Sequence, residues 1–167
     1  MNKEELIKEF DERQKALRDE FIAKLEDDKK EFKLTYPEDG ASVYFINRGD
    51  KSVTNSDFWS NSTIDKNIFE IGEYFNTEQE AEQCLREREL LFKLRQFAKE
   101  KNDGWEPDWN NNKQYKFSVD YSRVSDKLWS TDSTVYNSFS KIPYFKSEEI
   151  GEECIDMFGD EIIEVLC

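Results

Sequence analysis

The amino-acid sequence predicts an α+β protein: a long N-terminal helix followed by two repeated β-hairpin–helix units that pack antiparallel sheet against helices. Three observations carry this expectation. Residues 2–34 contain neither Gly nor Pro and place Leu6, Phe10, Leu17, Phe21, Leu25 and Phe32 at helical spacing. Two later segments alternate in the manner of strands around turn residues, and each runs into a helix-start signal. Shifting the chain against itself by 70 residues superposes those two segments without a gap.

The first element, within residues 1–35, carries a further regularity. Glu9-Phe10, Glu20-Phe21 and Glu31-Phe32 recur every 11 residues. Eleven residues make nearly three turns of a straight helix, so Phe10, Leu17, Phe21 and Phe32 are expected to share one stripe. That stripe is read as an interface, packed along the protein's own body or on a second copy of the chain, with a foreign partner as the alternative. Tyr36-Pro37-Glu38-Asp39-Gly40 ends the helix, because proline cannot continue it and Asp-Gly favours a turn.

The first hairpin–helix unit is expected over 41–102. Ser42–Ile46 is rich in β-branched and aromatic residues, Asn47-Arg48-Gly49-Asp50 supplies a turn, and Lys51–Trp59 returns. The Arg-Gly-Asp triplet is read as turn chemistry rather than an adhesion signal. An irregular loop leads to Thr77-Glu-Gln-Glu80, a capping box, so a helix begins there and runs to about Lys101. Ala81, Cys84, Leu85, Leu91, Phe92, Leu94, Phe97 and Ala98 are expected to face inward, with Asn102-Asp103-Gly104 as the terminator.

After a linker holding Trp105 and Trp109, the second unit is expected over 113–167. Tyr115–Tyr121 alternates apolar and polar residues, Ser122–Asp126 forms the turn, and Lys127–Ser130 returns. Ser147, followed by Glu148 and Glu149, caps a final helix that carries Ile150, Cys154, Ile155 and Phe158 inward. The 70-residue shift gives nine identities across 59–84, among them Trp59 on Trp129, Phe69 on Phe139, Tyr74-Phe75 on Tyr144-Phe145 and Cys84 on Cys154. These are fold-building residues rather than catalytic ones. One hairpin with one helix is too small to bury both faces alone, so the two units are expected to share one core.

Composition narrows the function classes. The chain has 167 residues, a net charge of −14, no histidine and three cysteines. Without histidine there is no Ser-His or Cys-His nucleophile pair and no usual zinc ligand. No phosphate-binding glycine motif and no Asp-x-Asp-x-Asp-Gly calcium loop occurs, and Asp103, Asp108 and Asp120 are the nearest approach to an acidic cluster. The expectation is therefore a non-enzyme with no cofactor and no metal. Three cysteines without a CxxC pair suit a reducing compartment, and no apolar run is long enough to span a bilayer. A cytoplasmic setting and no membrane partner follow as expectations.

The charge is unevenly placed. Residues 147–167 hold eight acids and no base, more than half the net charge. Glu148, Glu149, Glu152, Glu153, Asp156, Asp160 and Glu161 form the candidate partner-binding surface, because an acidic surface repels nucleic acid and attracts a basic protein groove. Trp105, Trp109 and the hairpin aromatics would be the stacking residues of a single-stranded nucleic-acid binder, a reading disfavoured because such sites need a cationic groove and the bases here are matched or outnumbered by acids.

The run Ala41–Glu89, above all Tyr-Phe-Asn-Thr-Glu-Gln-Glu-Ala-Glu at 74–82 after a hairpin, resembles small accessory proteins encoded by phages and prophages of low-GC bacteria. Lys-Leu-Arg-Gln-Phe-Ala-Lys-Glu-Lys-Asn at 93–102, followed by Asp108-Trp109-Asn110, adds to the likeness. The resemblance implies an inhibitor of the anti-CRISPR or anti-defence type, acting in the host cytoplasm on a nuclease or similar effector and blocking its nucleic-acid site. It carries over no site residue. The competing expectation is a self-associating accessory protein, a homodimer through Phe10, Leu17, Phe21 and Phe32.

Overall fold

A computed structural model describes residues 2–27, 32–56, 59–135, 137 and 140–167, apart from the side chains at 23, 25–27 and 56. The chain is α+β, with a long N-terminal helix and small antiparallel sheets, and divides into two units, Met1–Tyr36 and Pro37–Cys167.

In the first unit, α1 spans Lys3–Asp27. It opens with a reciprocal cap: Glu5 N donates to Asn2 Oδ1 at 2.9 Å, and Asn2 N donates to Glu5 Oε2 at 2.8 Å. Leu6, Phe10, Leu17 and Phe21 are half to two-thirds exposed. The expectation of a helix to residue 34 needs correction. Phe32–Glu38 has no regular structure, so Phe32, 87% exposed, stands off the stripe it was expected to join. Leu25's side chain and residues 28–31 lie outside the described residues.

The second unit begins with β1 (Val43–Ile46) and β2 (Val53–Ser56), joined by the expected turn. Gly49 N donates to Asn47 Oδ1, and Asp50 accepts from the backbone and hydroxyl of Ser52, which holds its carboxyl below the ordinary range. Asp50 thus serves the turn, while Arg48 pairs with Glu73 at 3.3 Å. A two-residue strand, β3 (Tyr74–Phe75), lies antiparallel on the other side of β1, giving the order β2-β1-β3. Between β2 and β3, where an irregular loop was expected, stands α2 (Thr63–Glu70). The Ser62 hydroxyl accepts from Asp65 N, and the Asp65 carboxylate accepts in turn from the Ser62 backbone. Trp59 is buried edge-on to Phe69 and Tyr74 at centroid distances of 5.6 and 6.3 Å.

The next helix, α3 (Glu78–Asn102), starts at the Thr77–Glu80 capping box and stops at Asp103, which is left-handed at φ +49°. Beyond it, β4 (Lys116–Ser122) and β5 (Lys127–Ser133) form the second hairpin, Phe145 bridges Phe117, and α4 covers Glu148–Leu166. Leu90, Leu94, Phe97 and Ala98 of α3 close a core with Val119, Ile142, Phe145, Cys154, Ile162 and Val165. Leu91, Ile150, Ile155 and Phe158 pack around that core.

The two halves share an order of elements. In each, the first hairpin strand is flanked by its partner and by the Tyr-Phe segment, and a helix follows. They differ where the identities ran thickest. Trp59 is buried beyond the end of β2, whereas Trp129 lies inside β5 opposite Asp120 and is 41% exposed. The second hairpin has seven-residue strands against four, so equal numbering does not reach an equal place. Phe139, aligned with Phe69, lies outside the described residues. One inward assignment also fails, since Phe92 is exposed on α3; in the alternating segment Tyr115 is exposed just before β4, while Lys116 and Ser118 are buried.

Lys116 is buried because the linker folds over it. Its Nζ donates to the carbonyls of Asn111 and Gln114 at 2.9 Å each and of Thr134 at 3.4 Å, and it sits 5.2 Å from the centre of the Trp109 ring. Three acceptors and an aromatic face replace the water that a buried ammonium loses.

Candidate functional site

The acidic segment 147–167 folds as α4, whose spacing sorts its residues onto two faces. Gly151, Cys154, Ile162 and Val165 point into the core. At 100° per residue, Glu149, Glu153, Asp156, Asp160 and Glu164 form a stripe on the opposite side, with Glu152 beside it. The exposed acids are Glu148, Glu149, Glu152, Asp156, Asp160 and Glu164, while Glu153 and Glu161 are half-buried.

The neighbouring helix offsets part of this charge. Lys101 of α3 pairs with Glu153, Lys93 with Glu161 at 2.7 Å and Arg86 with Glu164 at 3.8 Å. Glu152 accepts a hydrogen bond from Ser130 N at 3.2 Å. Among the described residues, Glu148, Glu149, Asp156 and Asp160 have no cationic partner. Of the seven acids marked out in the sequence, the structure therefore ties Glu153 and Glu161 to α3 and Glu152 to β5, and leaves Glu148, Glu149, Asp156 and Asp160 without a cationic partner among the described residues. This division is made by packing against α3 and β5, and no signal within the segment foretold it.

The four free acids differ in what the fold asks of them. Glu148 and Glu149 sit in the first turn, where the helix dipole favours a carboxylate. Ser147 occupies the cap position but its hydroxyl makes no cap bond. It hydrogen-bonds the Glu149 carboxyl instead, which is held below its ordinary range by that bond and by its own backbone amide. Asp156 and Asp160 lie mid-helix, beyond the dipole's first turn. Among the described residues neither makes an ion pair.

The other sequence candidates do not gather into a site. Asp103 caps α3, Asp108 accepts from Asn110 N inside the linker, and Asp120 is exposed on β4. Among the described residues no group of three or more Cys, Asp or Glu side chains could hold a metal ion. Trp109 stacks edge-on against Tyr144 at 5.1 Å and covers Lys116, so its ring is engaged within the fold. Cys154 is buried and its thiol is pushed up to about 12 by burial, while Cys84 is half-buried and Cys167 exposed. An open groove of about 900 Å³ runs between the end of α3, the linker and Pro143-Tyr144. Arg95 and Lys99 line it together with Glu100, Asp103 and Glu106, so it favours neither sign of ligand charge.

No helix among the described residues is long and apolar enough to cross a membrane. Compared with known proteins, the chain matches no family model, no curated protein and no solved structure.

Proposed function

We propose that the protein is a binding protein, an inhibitor of the phage anti-defence type, which sets the acidic face of α4 on the basic nucleic-acid groove of a host effector such as a nuclease. The single observation behind the docking face is the pair Asp156 and Asp160, exposed and without a cationic partner among the described residues, beside Glu148 and Glu149. The inhibitor type rests on the sequence resemblance alone. Carboxylates at spacings of roughly 6 to 10 Å along one helix present a rigid negative row to a basic groove. The same row repels nucleic acid, which disfavours direct binding to it. No enzymatic step is proposed: the chain lacks histidine, the commonest general base, and among the described residues no three Cys, Asp or Glu side chains could hold a metal ion.

The test is a competition measurement. A partner captured from the host with the full-length protein is purified, loaded with labelled nucleic acid and titrated with the protein and with a Glu148→Gln, Glu149→Gln, Asp156→Asn, Asp160→Asn variant. Displacement that weakens at least tenfold in the variant, with a flatter salt dependence, is the expected result. A partner that holds its nucleic acid throughout, or an affinity indifferent to the four substitutions, would overturn the reading.

A further inference from the structure

We propose that α1 pairs with α1 of a second copy of this chain, the two helices running antiparallel. The apolar residues of α1 repeat every 11 positions, Leu6 to Leu17 and Phe10 to Phe21. That period keeps all four on one stripe of a nearly straight helix. They are 50%, 66%, 60% and 63% exposed in that order, and Ile7 beside them is 52% exposed. A helix of this length with no packed face is only marginally stable in water.

Area and shape both favour a second copy as the cover. At about 200 Å² for a fully exposed large apolar residue, these five side chains present roughly 600 Å² per helix. Mutual cover would remove about 1,200 Å², the lower end of the range for stable interfaces. The stripe is also symmetric about the midpoint between Arg13 and Gln14. An antiparallel twofold about that point sets Leu6 against Phe21 and Phe10 against Leu17, so each of the four layers holds one Leu and one Phe. A parallel pair would set Phe on Phe and Leu on Leu, alternately over-filling and under-filling the seam.

Charge points the same way. Residues 1–35 carry 11 acids and 9 bases, a net of −2, which leaves −14 + 2 = −12 on the rest of the chain. The stripe therefore lies on the near-neutral part of the protein, where two copies meet with little net repulsion and no strongly charged foreign partner is selected. Arg13 and Gln14 interrupt the apolar stripe at its centre, the position where a polar layer disfavours slipped registers.

Sedimentation equilibrium of the full chain over a wide concentration range tests this. A monomer–dimer equilibrium is expected, with the dissociation constant raised at least 100-fold by Phe10→Glu with Phe21→Glu and less than twofold by Lys8→Ala with Asp19→Ala on the opposite face. All four tryptophans lie beyond residue 37, so unchanged tryptophan fluorescence shows that the body stays folded in each variant. Spin labels at Lys24→Cys, in a Cys84→Ser, Cys167→Ser background, should lie roughly 30 Å apart across the pair. A monomer at every concentration, a dimer indifferent to the Phe substitutions, or labels about 10 Å apart would overturn the proposal.

Discussion

Replacing Gly151 with alanine should loosen the seam between α4 and β5, although alanine is the better helix former. An ideal Cβ at position 151 would stand 2.4 Å from Ser130 Oγ, closer than real contacts come, and 3.1 Å from Ser130 Cβ, a tight but attainable distance. The propensity gain of Ala over Gly is about 1 kcal/mol, and overpacking a tight contact costs about 1–3 kcal/mol. A net loss of up to about 2 kcal/mol is therefore expected. Gly159, on the same helix, is the internal control. Its added Cβ would meet Leu128 Cδ1 at 3.5 Å and Ile155 Cγ2 at 3.6 Å, which is ordinary contact. Gly159→Ala should then stabilise by up to about 1 kcal/mol.

The neighbour supplies a second check. Ser130 Oγ is buried without a hydrogen-bond partner, so Ser130→Ala alone should be neutral or stabilising by about 1 kcal/mol. In the Ser130→Ala, Gly151→Ala double variant the 2.4 Å clash disappears and only the 3.1 Å contact remains, so most of the loss should return. Urea unfolding of the four variants measures all of this. Equal effects of Gly151→Ala and Gly159→Ala, or strict additivity with Ser130→Ala, would refute the close-packing argument.

Three further outcomes follow from other contacts. Asn102 donates to Tyr144 O at 2.9 Å and accepts from Lys146 N at 3.0 Å, so Asn102→Ala should cost about 1–3 kcal/mol in urea unfolding, a neutral result counting against it. Burial raises the Cys154 thiol from 9.0 to about 12, so the folded state holds this proton more tightly than the unfolded chain. Its contribution is full below about pH 9 and is lost as pH climbs towards 12, and Cys154 should resist thiol reagents at pH 8 until the protein unfolds. Asp65 is lowered from 3.8 by hydrogen bonds from Ser60 and then Ser62, so the stability it lends the start of α2 is present above that value and lost as pH falls through the lower folded one. An NMR titration of Asp65 with a midpoint at or above 3.8 would contradict this.

Much of the fold was legible in the sequence because its signals are local. Thr77 and Glu80 satisfy each other's backbone across one helical turn, and Asn47 folds back on Gly49, so neighbours in sequence are also the partners in space. The second helix escaped notice because it is eight residues long and its Ser62–Asp65 cap leads into no extended apolar periodicity. Lys116 reads as the polar half of an alternating strand, and nothing near it in sequence predicts that Trp109 and three carbonyls will enclose it. The acidic segment was visible as composition, but which of its acids are tied depends on Lys93 and Lys101, more than fifty residues away along the chain, and on Ser130 of β5.

The length of α3 bears on how the body from residue 37 onward unfolds. It packs against β1, β2 and β3, and its later turns carry Leu90, Leu94 and Phe97 into the core with α4. A rigid rod common to both layers transmits the loss of either one to the other. A fragment ending in the linker would leave three large apolar side chains bare on a 25-residue helix, and a fragment starting there would lack one wall of its core. Neither half is therefore a module that recombination could move elsewhere intact, and the slowest-exchanging amides of both halves should report one common opening free energy.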